Sequence, residues 1–295
     1  MYNQITSNKR KSLVLITLFV VILLALGWAF GIYVEDVYVG LALAAVISVI
    51  MTLVGYFRGD KVALAVAGAK KIERRDNETL YRLVENLAIA QGMKVTPTIY
   101  LIDDPSPNAF AAGRKPEKSV IAVTTGLLAT LEKVELEGVL AHELGHIKNL
   151  DIRYMTLVVV LVGTIILISD ILTRTFIFGG RGKRENGGGG AILIVGLALA
   201  ILSPLIAELI KLAVSRQREY LADATAAMTT RHPEGLASAL EKIAKMDLPL
   251  RRANHATAHL YLANPFDPHV TKKKFETIFS THPPIEDRIA RLRDM

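Results

Sequence analysis

Two long runs of uncharged, mostly apolar residues lie near the start of the chain. They cover 13–34 and 37–57, and only Glu35 and Asp36 separate them. A helix needs about 20 apolar residues to cross roughly 30 Å of bilayer hydrocarbon, and each run is long enough. A secretory signal peptide also follows basic residues, but its apolar segment is only about 7–15 residues long. The pattern therefore predicts an uncleaved transmembrane helical hairpin.

Two further apolar stretches, 155–172 and 191–210, predict additional apolar helices. The segment between them is basic and includes four consecutive glycines at 187–190, which is typical of a surface loop. The pattern divides the chain into four parts, namely a transmembrane hairpin (1–57), a first polar part (58–154), the two apolar helices with their loop (155–212) and a second polar part (213–295).

The first polar part contains both helical and strand patterns. Helices are predicted at 78–91 and 134–150, and strands at 98–102, 108–112 and 119–124. The last two strands are close enough in sequence to form a hairpin, and helical patterns dominate after Arg216. The predicted fold is a mainly α membrane protein (α+β) with a small β-sheet.

Composition supports a membrane protein and excludes thiol chemistry. Residues of the hydrophobic set make up 51% of the chain, the mean hydropathy is +0.35, and there is no cysteine. Disulfides, cysteine nucleophiles and thiolate metal sites are therefore excluded, so any metal must be bound by nitrogen and oxygen.

The net charge of +7 does not indicate nucleic-acid binding, because the basic residues cluster beside the apolar runs. Lys9, Arg10 and Lys11 precede the first run, and Arg58 and Lys61 follow the second. By the positive-inside rule, this distribution predicts that both ends of the hairpin face the cytoplasm.

Candidate chemistry is concentrated in the helix predicted at 134–150, which contains His142-Glu143-Leu144-Gly145-His146. Histidines four residues apart lie on one face of a helix, so both imidazoles can bind one zinc ion. Glu143 can accept a proton from a water that the metal activates, as in metal-assisted peptide hydrolysis. The sequence predicts a zincin-type catalytic domain, formed by the two polar parts, with one zinc ion per chain.

A third ligand must come from elsewhere, because Asn149 and Ile152 stand where a glycine and a third histidine would follow the motif. Glu219 and Asp223 lie four residues apart on one helical face, which is repulsive unless a cation or a hydrogen-bond donor lies between them. Glu219 is the predicted zinc ligand, and Asp223 is predicted to accept a hydrogen bond from a ligand histidine.

Other carboxylates and histidines are weaker candidates. Glu208 ends an apolar segment, and neither Glu234 nor Glu241 has a second acid four residues later. The remaining histidines are predicted to be structural or exposed, including a pair with the motif spacing but without its glutamate; they are His232, His255, His259 and His269.

Several motifs together resemble the HtpX membrane metalloproteases over essentially the whole chain. They are His142-Glu-Leu-Gly-His146 with Asn149 and Asp151, Asn108-Ala-Phe-Ala-Ala-Gly113, Arg218-Glu219-Tyr-x-Ala-Asp223, and His282-Pro-Pro-x-x-x-Arg288. Ala112 departs from a threonine that is frequent in the family. These are bacterial inner-membrane zinc endopeptidases related to the prenyl-protein peptidases.

The resemblance implies multi-pass insertion in the inner membrane, a catalytic domain facing the cytoplasm, and quality control of misfolded or damaged membrane proteins under stress. It implies His142, His146 and Glu219 as zinc ligands and Glu143 as base. It also implies that an extended substrate lies beside one strand segment, formed by Asn108, Ala109, Phe110 and Ala111, where a sheet edge can add a peptide strand.

His282 and Arg288 are the last candidates, since an oxyanion needs a hydrogen-bonding or positive group near it. By resemblance this pair faces the substrate. The alternative is that His282 caps a helix and Arg288 forms a surface ion pair.

Two other classes of function could contain such a metal motif, but each needs a feature that the pattern lacks. A transporter or channel with a structural metal site should have paired polar residues in mid-membrane, but the first two apolar runs have few polar side chains. A peptidase acting within the bilayer needs its motif in an apolar span, whereas 132–153 contains eight charges besides the histidines. The sequence does not identify the substrates or the oligomeric state.

Overall fold

The structure is a computed structural model that describes residues 2–178, 215–246, 248–266 and 283–295. The helices are α1 (Tyr2–Tyr33), α2 (Val37–Ala67), α3 (Glu78–Ala90), α4 (Thr125–Thr130), α5 (Lys133–Lys148), α6 (Asp151–Phe178), α7 (Arg216–Thr230), α8 (Pro233–Met246) and α9 (Ile285–Arg293), with a 3₁₀ turn at Ala258–Leu260. The strands are β1 (Lys70–Lys71), β2 (Thr98–Ile102), β3 (Ala109–Lys115) and β4 (Lys118–Thr124). The predicted apolar helix at 191–210 and the residues His269 and His282 lie outside the described residues.

Three of the described helices are long and apolar enough to cross a membrane. Their candidate spans are Arg10–Ile32, Val37–Ala67 and Asp151–Ile171. The predicted mainly helical membrane fold with a small sheet is confirmed, although α1 and α2 extend beyond their apolar runs. The helix predicted from residue 155 begins at Asp151, so α6 crosses the predicted boundary between the first polar part and the apolar helices at 154. Helix α2 likewise continues past the predicted end of the transmembrane hairpin at 57.

The turn between α1 and α2 is stabilised by a cap and by close helix packing. Glu35 adopts a left-handed backbone conformation with φ of 62°, and the Asp36 carboxylate accepts hydrogen bonds from the first N–H groups of α2. At Gly40 the helices approach so closely that a Cβ atom would overlap the Gly27 carbonyl. The hairpin therefore packs backbone against backbone at this end.

The four strands form one sheet in the order β1-β2-β4-β3. Strands β3 and β4 form the predicted antiparallel hairpin, whereas β2 and β4 are parallel. Alternate residues of β3 point to two different cores. Ala109 and Ala111 face α3 and α5. Phe110 and Ala112 face the C-terminal part of α2 and the start of α6. The sheet thus joins the motif helix to the membrane helices.

Helix α5 lies at the centre of the polar domain and outside the three candidate spans. It packs between β3, α7 and α8, and Gly138 allows the closest approach, since a Cβ atom there would lie 2.7 Å from the Leu236 backbone nitrogen. Every residue of α5 from Gly138 to Ile147 is buried. The histidine motif therefore lies in a fully packed helix.

Candidate metal centre

The start of α5 is defined by a capping box. The Glu132 side chain accepts from the backbone at Glu135, and the Glu135 carboxylate accepts from the Glu132 N–H at 2.8 Å. Glu135 also accepts from Ser238 Oγ at 2.6 Å and from Lys242 Nζ at 2.8 Å on α8. These bonds fix the position of the helix that carries the motif.

His142, His146 and Glu219 converge at one buried point. The Nε2 atoms of the two histidines are 3.1 Å apart, and the Glu219 carboxylate lies 3.5 Å from His146 Nε2 and 3.8 Å from His142 Nε2. One ligand atom from each residue lies within 4.8 Å of the other two. All three side chains are buried, so this group can hold a metal ion.

Each imidazole directs its other nitrogen toward a carboxylate. His142 Nδ1 lies 2.9 Å from Asp223 Oδ1, and His146 Nδ1 lies 3.2 Å from Asp151 Oδ2. A proton on Nδ1 in each hydrogen bond leaves the Nε2 lone pairs directed at the common point. Lone pairs that converge in this way are stable only around a cation or a shared proton.

Asp151 was not predicted to contact the site, although it belongs to the motifs that carry the family resemblance. It reaches back to His146 because α5 ends at Lys148 and Leu150 adopts a left-handed conformation with φ of 60°. A left-handed conformation is unfavourable for leucine, so the surrounding packing has to maintain this turn. The H-x-x-x-x-D spacing is the signal from which the contact could have been inferred.

Arg288 contacts two carboxylates of the site, Asp223 and Glu219. Its Nε donates to Asp223 Oδ2 at 2.9 Å and its Nη2 donates to Asp223 Oδ1 at 2.7 Å, while Nη1 lies 3.6 Å from Glu219 Oε2 and donates to the Leu262 carbonyl at 3.4 Å. Helix α9 begins directly after Pro284, which places Arg288 in its first turns. The side chain is 1% exposed, so its ion pair is buried and does not lie on the surface.

Glu143 lies beside the histidines and is 1% exposed. Its carboxylate accepts a hydrogen bond from the backbone of Ala111 on β3. Burial and the charge of Glu219 together raise the pKa of Glu143 to about 7, against the opposing effects of His146, Arg288 and the Ala111 hydrogen bond. A carboxylate with such a pKa can accept and release a proton near neutral pH.

The two histidines differ in their titration. Burial lowers the pKa of His142, against the effect of its bond to Asp223, so this imidazole is neutral at pH 7. Burial alone would also lower the pKa of His146, but the hydrogen bond to Asp151 and the charge of Glu219 outweigh it and raise the pKa to about 9. These surroundings therefore favour a positive charge at this imidazole, either a proton on Nε2 or a bound cation in its place.

The balance of charge fits a metal cation. Four buried carboxylates lie around the histidine pair, namely Glu143, Asp151, Glu219 and Asp223. Although burial alone would raise the pKa of Asp223, Arg288 and His142 lower it, so this carboxylate is ionised. Two nitrogen donors and one carboxylate oxygen form a typical ligand set for a divalent ion, and the surrounding negative charge compensates it.

The predicted substrate strand begins at contacts with the chain's own segment 261–263. The Leu262 N–H donates to the Ala109 carbonyl at 3.0 Å, and the Asn108 side-chain amide donates to the Ala263 carbonyl at 3.1 Å. Outward-facing polar groups at the start of β3 are therefore already hydrogen-bonded.

The following residues of the strand face two directions. The Phe110 ring packs edge-on against Tyr261 with ring centroids 5.2 Å apart, whereas Ala111 contacts the Glu143 carboxylate. Ala111 is thus the member of the predicted substrate segment that lies next to the predicted base. Substrate binding by this strand stays a prediction.

The other described histidines lie away from the metal centre. His259 is fully buried, and its Nε2 lies 2.9 Å from the Met155 carbonyl, while His255 is exposed and packs against the Phe266 ring. His232 is exposed at the start of α8. The motif-like spacing of His255 and His259 therefore does not produce a second histidine pair.

Comparison with known proteins adds independent information. A family model described as peptidase family M48 matches residues 74–295. A Protease HtpX homolog from Dictyoglomus turgidum is 46% identical over 296 residues, covering 100% of this chain and 94% of the relative. Another from Caldanaerobacter subterraneus subsp. tengcongensis is 42% identical over 299 residues, covering 100% and 98%. The crystal structure of S. mikatae Ste24p aligns with 99% of this chain and 67% of its own, with 20% identity and a TM-score of 0.48.

Proposed function

Because the chain belongs to peptidase family M48 and is a membrane metalloprotease, we propose that it is a zinc endopeptidase acting on misfolded or damaged membrane proteins at the cytoplasmic face of a bacterial inner membrane. The observation that carries this proposal is the convergence of two histidines and Glu219 beside the buried Glu143. The alternative of a transporter or channel is set aside, since the family consists of peptidases.

His142, His146 and Glu219 are the residues that would hold the zinc ion. Bound zinc supplies a Lewis acid that lowers the pKa of water and polarises a peptide carbonyl. Asp223 and Asp151 keep the two imidazoles in the orientation that directs Nε2 to the ligand position. Arg288 acts through Asp223 and is therefore assigned a positioning role.

Glu143 is the proposed general base. Its carboxylate takes the proton of the attacking water as the water oxygen bonds to the peptide carbonyl carbon. The same group then delivers a proton to the peptide nitrogen as the C–N bond breaks. A pKa of about 7 suits both transfers, and the hydrogen bond from Ala111 keeps the carboxylate in place between them.

Strand β3 is the proposed substrate contact. Addition of a peptide to a sheet edge relies on backbone hydrogen bonds, which suits unfolded segments of diverse sequence. In this proposal the cleaved bond lies beside Ala111, and the segment 261–263 moves aside when substrate binds Asn108, Ala109 and Phe110. His282, which lies outside the described residues, stays a candidate for contact with the substrate.

The orientation of the site is inferred from charge. Basic residues flank the ends of the α1–α2 hairpin, and the turn contains Glu35 and Asp36, so the positive-inside rule favours a cytoplasmic site. His142 and Glu219 are in contact, so the chain between them crosses the membrane an even number of times. Two crossings or none satisfy this requirement.

The decisive experiment measures casein cleavage and zinc content of the purified protein in detergent. Glu143→Gln should retain zinc but lower turnover by about 10²–10⁴-fold, because the ligands remain and the proton acceptor is lost. Glu137→Gln on the partly exposed face of the same helix is the matched control and should cleave normally. Glu219→Ala should lose zinc itself. Normal cleavage by Glu143→Gln, or normal zinc content in Glu219→Ala, would refute the corresponding assignment.

A separate experiment tests the orientation. Epitopes at Lys70 and at the C-terminus should both be digested only from the cytoplasmic side, and an epitope at Gly188 distinguishes two crossings from none. Epitopes at Lys70 and the C-terminus on opposite sides of the membrane would contradict both arrangements.

A further inference from the structure

A second polar cleft lies where α2, α6 and the end of β3 meet, away from the metal centre. The residues that matter for its chemistry are Tyr56, Asp60, Arg114, Arg153 and Thr156. The cleft is shallow and encloses no more than about one water, so a larger polar group would bind at its mouth, against these side chains.

The pattern of charged and apolar residues places the cleft close to a membrane surface. On α2 the apolar run ends at Phe57 and is followed by Arg58, Asp60 and Lys61, while on α6 the apolar run begins just after Arg153. The two helices are in close contact there, because a Cβ atom on Gly59 would lie 2.6 Å from Thr156 Cγ2. Lipid headgroups occupy this level of a bilayer.

Two half-buried arginines form the wall of the cleft. Arg114 and Arg153 are each only partly exposed, and within the described residues no carboxylate lies within 4.0 Å of either guanidinium. A guanidinium removed from bulk water without a carboxylate partner has a strong tendency to bind an anion. Asp60 is the one acidic residue among those that line the cleft. The lining therefore carries a net positive charge.

The arginines are also held in position before any ligand binds. Arg153 Nε donates to the Arg114 carbonyl at 3.0 Å, and both guanidinium carbons lie 5.8 Å from the Tyr56 ring centroid. Arg114 lies 5.2 Å from the Phe57 ring centroid as well. Stacking on aromatic rings restrains a guanidinium while leaving its terminal N–H groups free to point at a phosphate.

From these observations we propose that this cleft binds the phosphate group of an anionic membrane phospholipid. Arg114 and Arg153 donate to the phosphate oxygens, and the acyl chains lie along the exposed apolar surface of α2, which includes Leu53 and Phe57. The Asp60 carboxylate favours a headgroup that bears hydroxyl donors, such as phosphatidylglycerol, over a bare phosphate. Free inorganic phosphate offers the same oxygen atoms to the two arginines, so competition with phosphate distinguishes a lipid site from a site for a free anion.

The proposed site is joined to the strand of the metal centre. Gly113, which precedes Arg114, donates its N–H to Thr156 Oγ1 at 3.0 Å, and the same strand contacts Glu143 through Ala111. A lipid on Arg114 would therefore anchor the end of β3 to the membrane surface. Lipid binding itself is independent of the proposed peptidase activity and can be measured without substrate.

Native mass spectrometry of the full-length protein in detergent tests the proposal, with phosphatidylglycerol and phosphatidylcholine titrated in parallel. The wild type should bind phosphatidylglycerol in preference to phosphatidylcholine, and the double variant Arg114→Gln/Arg153→Gln should bind it about tenfold or more weakly, as expected for loss of charge-assisted hydrogen bonds. The matched control is Arg58→Gln/Lys61→Gln, which removes two positive charges from the same end of α2. Equal weakening in both double variants, or in neither, would overturn the proposal.

Two further experiments, photocrosslinking and competition with phosphate, use the wild type alone and so do not depend on whether a variant folds. A phosphatidylglycerol analogue with a photoreactive headgroup should crosslink to peptides that contain Tyr56, Arg114 or Arg153, and crosslinks confined to other peptides would refute the site. Millimolar inorganic phosphate should not displace the lipid. Displacement by phosphate at concentrations similar to that of the lipid would assign the cleft to a free anion instead.

Discussion

The Arg288 guanidinium forms a two-point hydrogen bond with the Asp223 carboxylate, with distances of 2.9 and 2.7 Å. The same carboxylate lies 2.9 Å from His142 Nδ1. A buried, fork-shaped contact of this kind fixes the carboxylate in both position and angle. The orientation of His142 therefore depends on a residue of the last helix, far from it in sequence.

Arg288→Ala is expected to weaken metal binding by about 10–100-fold, the usual effect of losing a group that orients a ligand through a hydrogen bond. Arg288→Lys should fall between the alanine variant and the wild type, because lysine retains the charge but not the two-point geometry. Titration with a competing chelator measures both affinities. Arg291→Ala on the exposed face of the same helix is the control. Full metal affinity with a turnover lowered about 10²–10³-fold would instead place Arg288 on the reacting groups.

Asp151→Ala is expected to weaken metal binding by about 10–100-fold, because His146 loses the hydrogen bond that orients its ring. Asp223→Ala should have a comparable effect through His142, and Asp294→Ala, an exposed position on the C-terminal side of α9, should have none. The chelator titration also serves here. A wild-type affinity in Asp151→Ala would mean that the turn at Leu150 has only a structural purpose.

Glu135→Gln is expected to lower the Tm by a few degrees at neutral pH and by less in acid. Although burial alone would raise the pKa of Glu135, its hydrogen bonds to Lys242, Ser238 and the Glu132 backbone lower it below the ordinary value of 4.5. The ionised carboxylate therefore stabilises the folded state above pH 4.5, and this stabilisation is lost as the pH falls through the lower, folded-state pKa.

The measurement for Glu135 is the Tm difference between wild type and variant across a pH series in detergent. It should be largest near neutral pH and shrink below about pH 4.5. Glu137→Gln, on the same helix but partly exposed, should show no such trend. A Tm difference for Glu135→Gln that is constant from pH 7 to pH 3 would contradict the ionic explanation.

Two glycines of α5 should differ in their tolerance of alanine. A Cβ atom at Gly138 would lie 2.7 Å from the Leu236 backbone nitrogen, so Gly138→Ala must push α5 and α8 apart and should cost about 1–3 kcal/mol. At Gly145 the nearest atom is Ala222 Cα at 3.4 Å, so the gain in helix propensity, up to about 1 kcal/mol, should offset the crowding. Thermal unfolding of both variants checks this order, and a Gly138→Ala variant as stable as Gly145→Ala would contradict it.

Much of the fold could be predicted because its signals are local. The α1–α2 hairpin follows from two uninterrupted apolar runs, and the β3–β4 hairpin follows from two short strand patterns close in sequence. The pairing of β2 with β4 in parallel could not be predicted in the same way, because it depends on packing against α3 and α5. The start of α6 at Asp151, four residues before its apolar run, depends on the turn at Leu150.

The pair His142 and His146 and the adjacent Glu143 can be identified without a structure, because the helical repeat places residues four apart on one face. The sequence also favoured Glu219 as the third ligand over a few other carboxylates. Its approach to the histidines is visible only in the tertiary structure, since Glu219 lies on another helix after a long intervening segment. The contacts of Arg288 with Asp223, of Ala111 with Glu143 and of Arg153 with Arg114 likewise join distant parts of the chain. Such contacts arise from the packing of whole elements, and the physical reason is that no local pattern of side chains specifies which distant surface an element will meet.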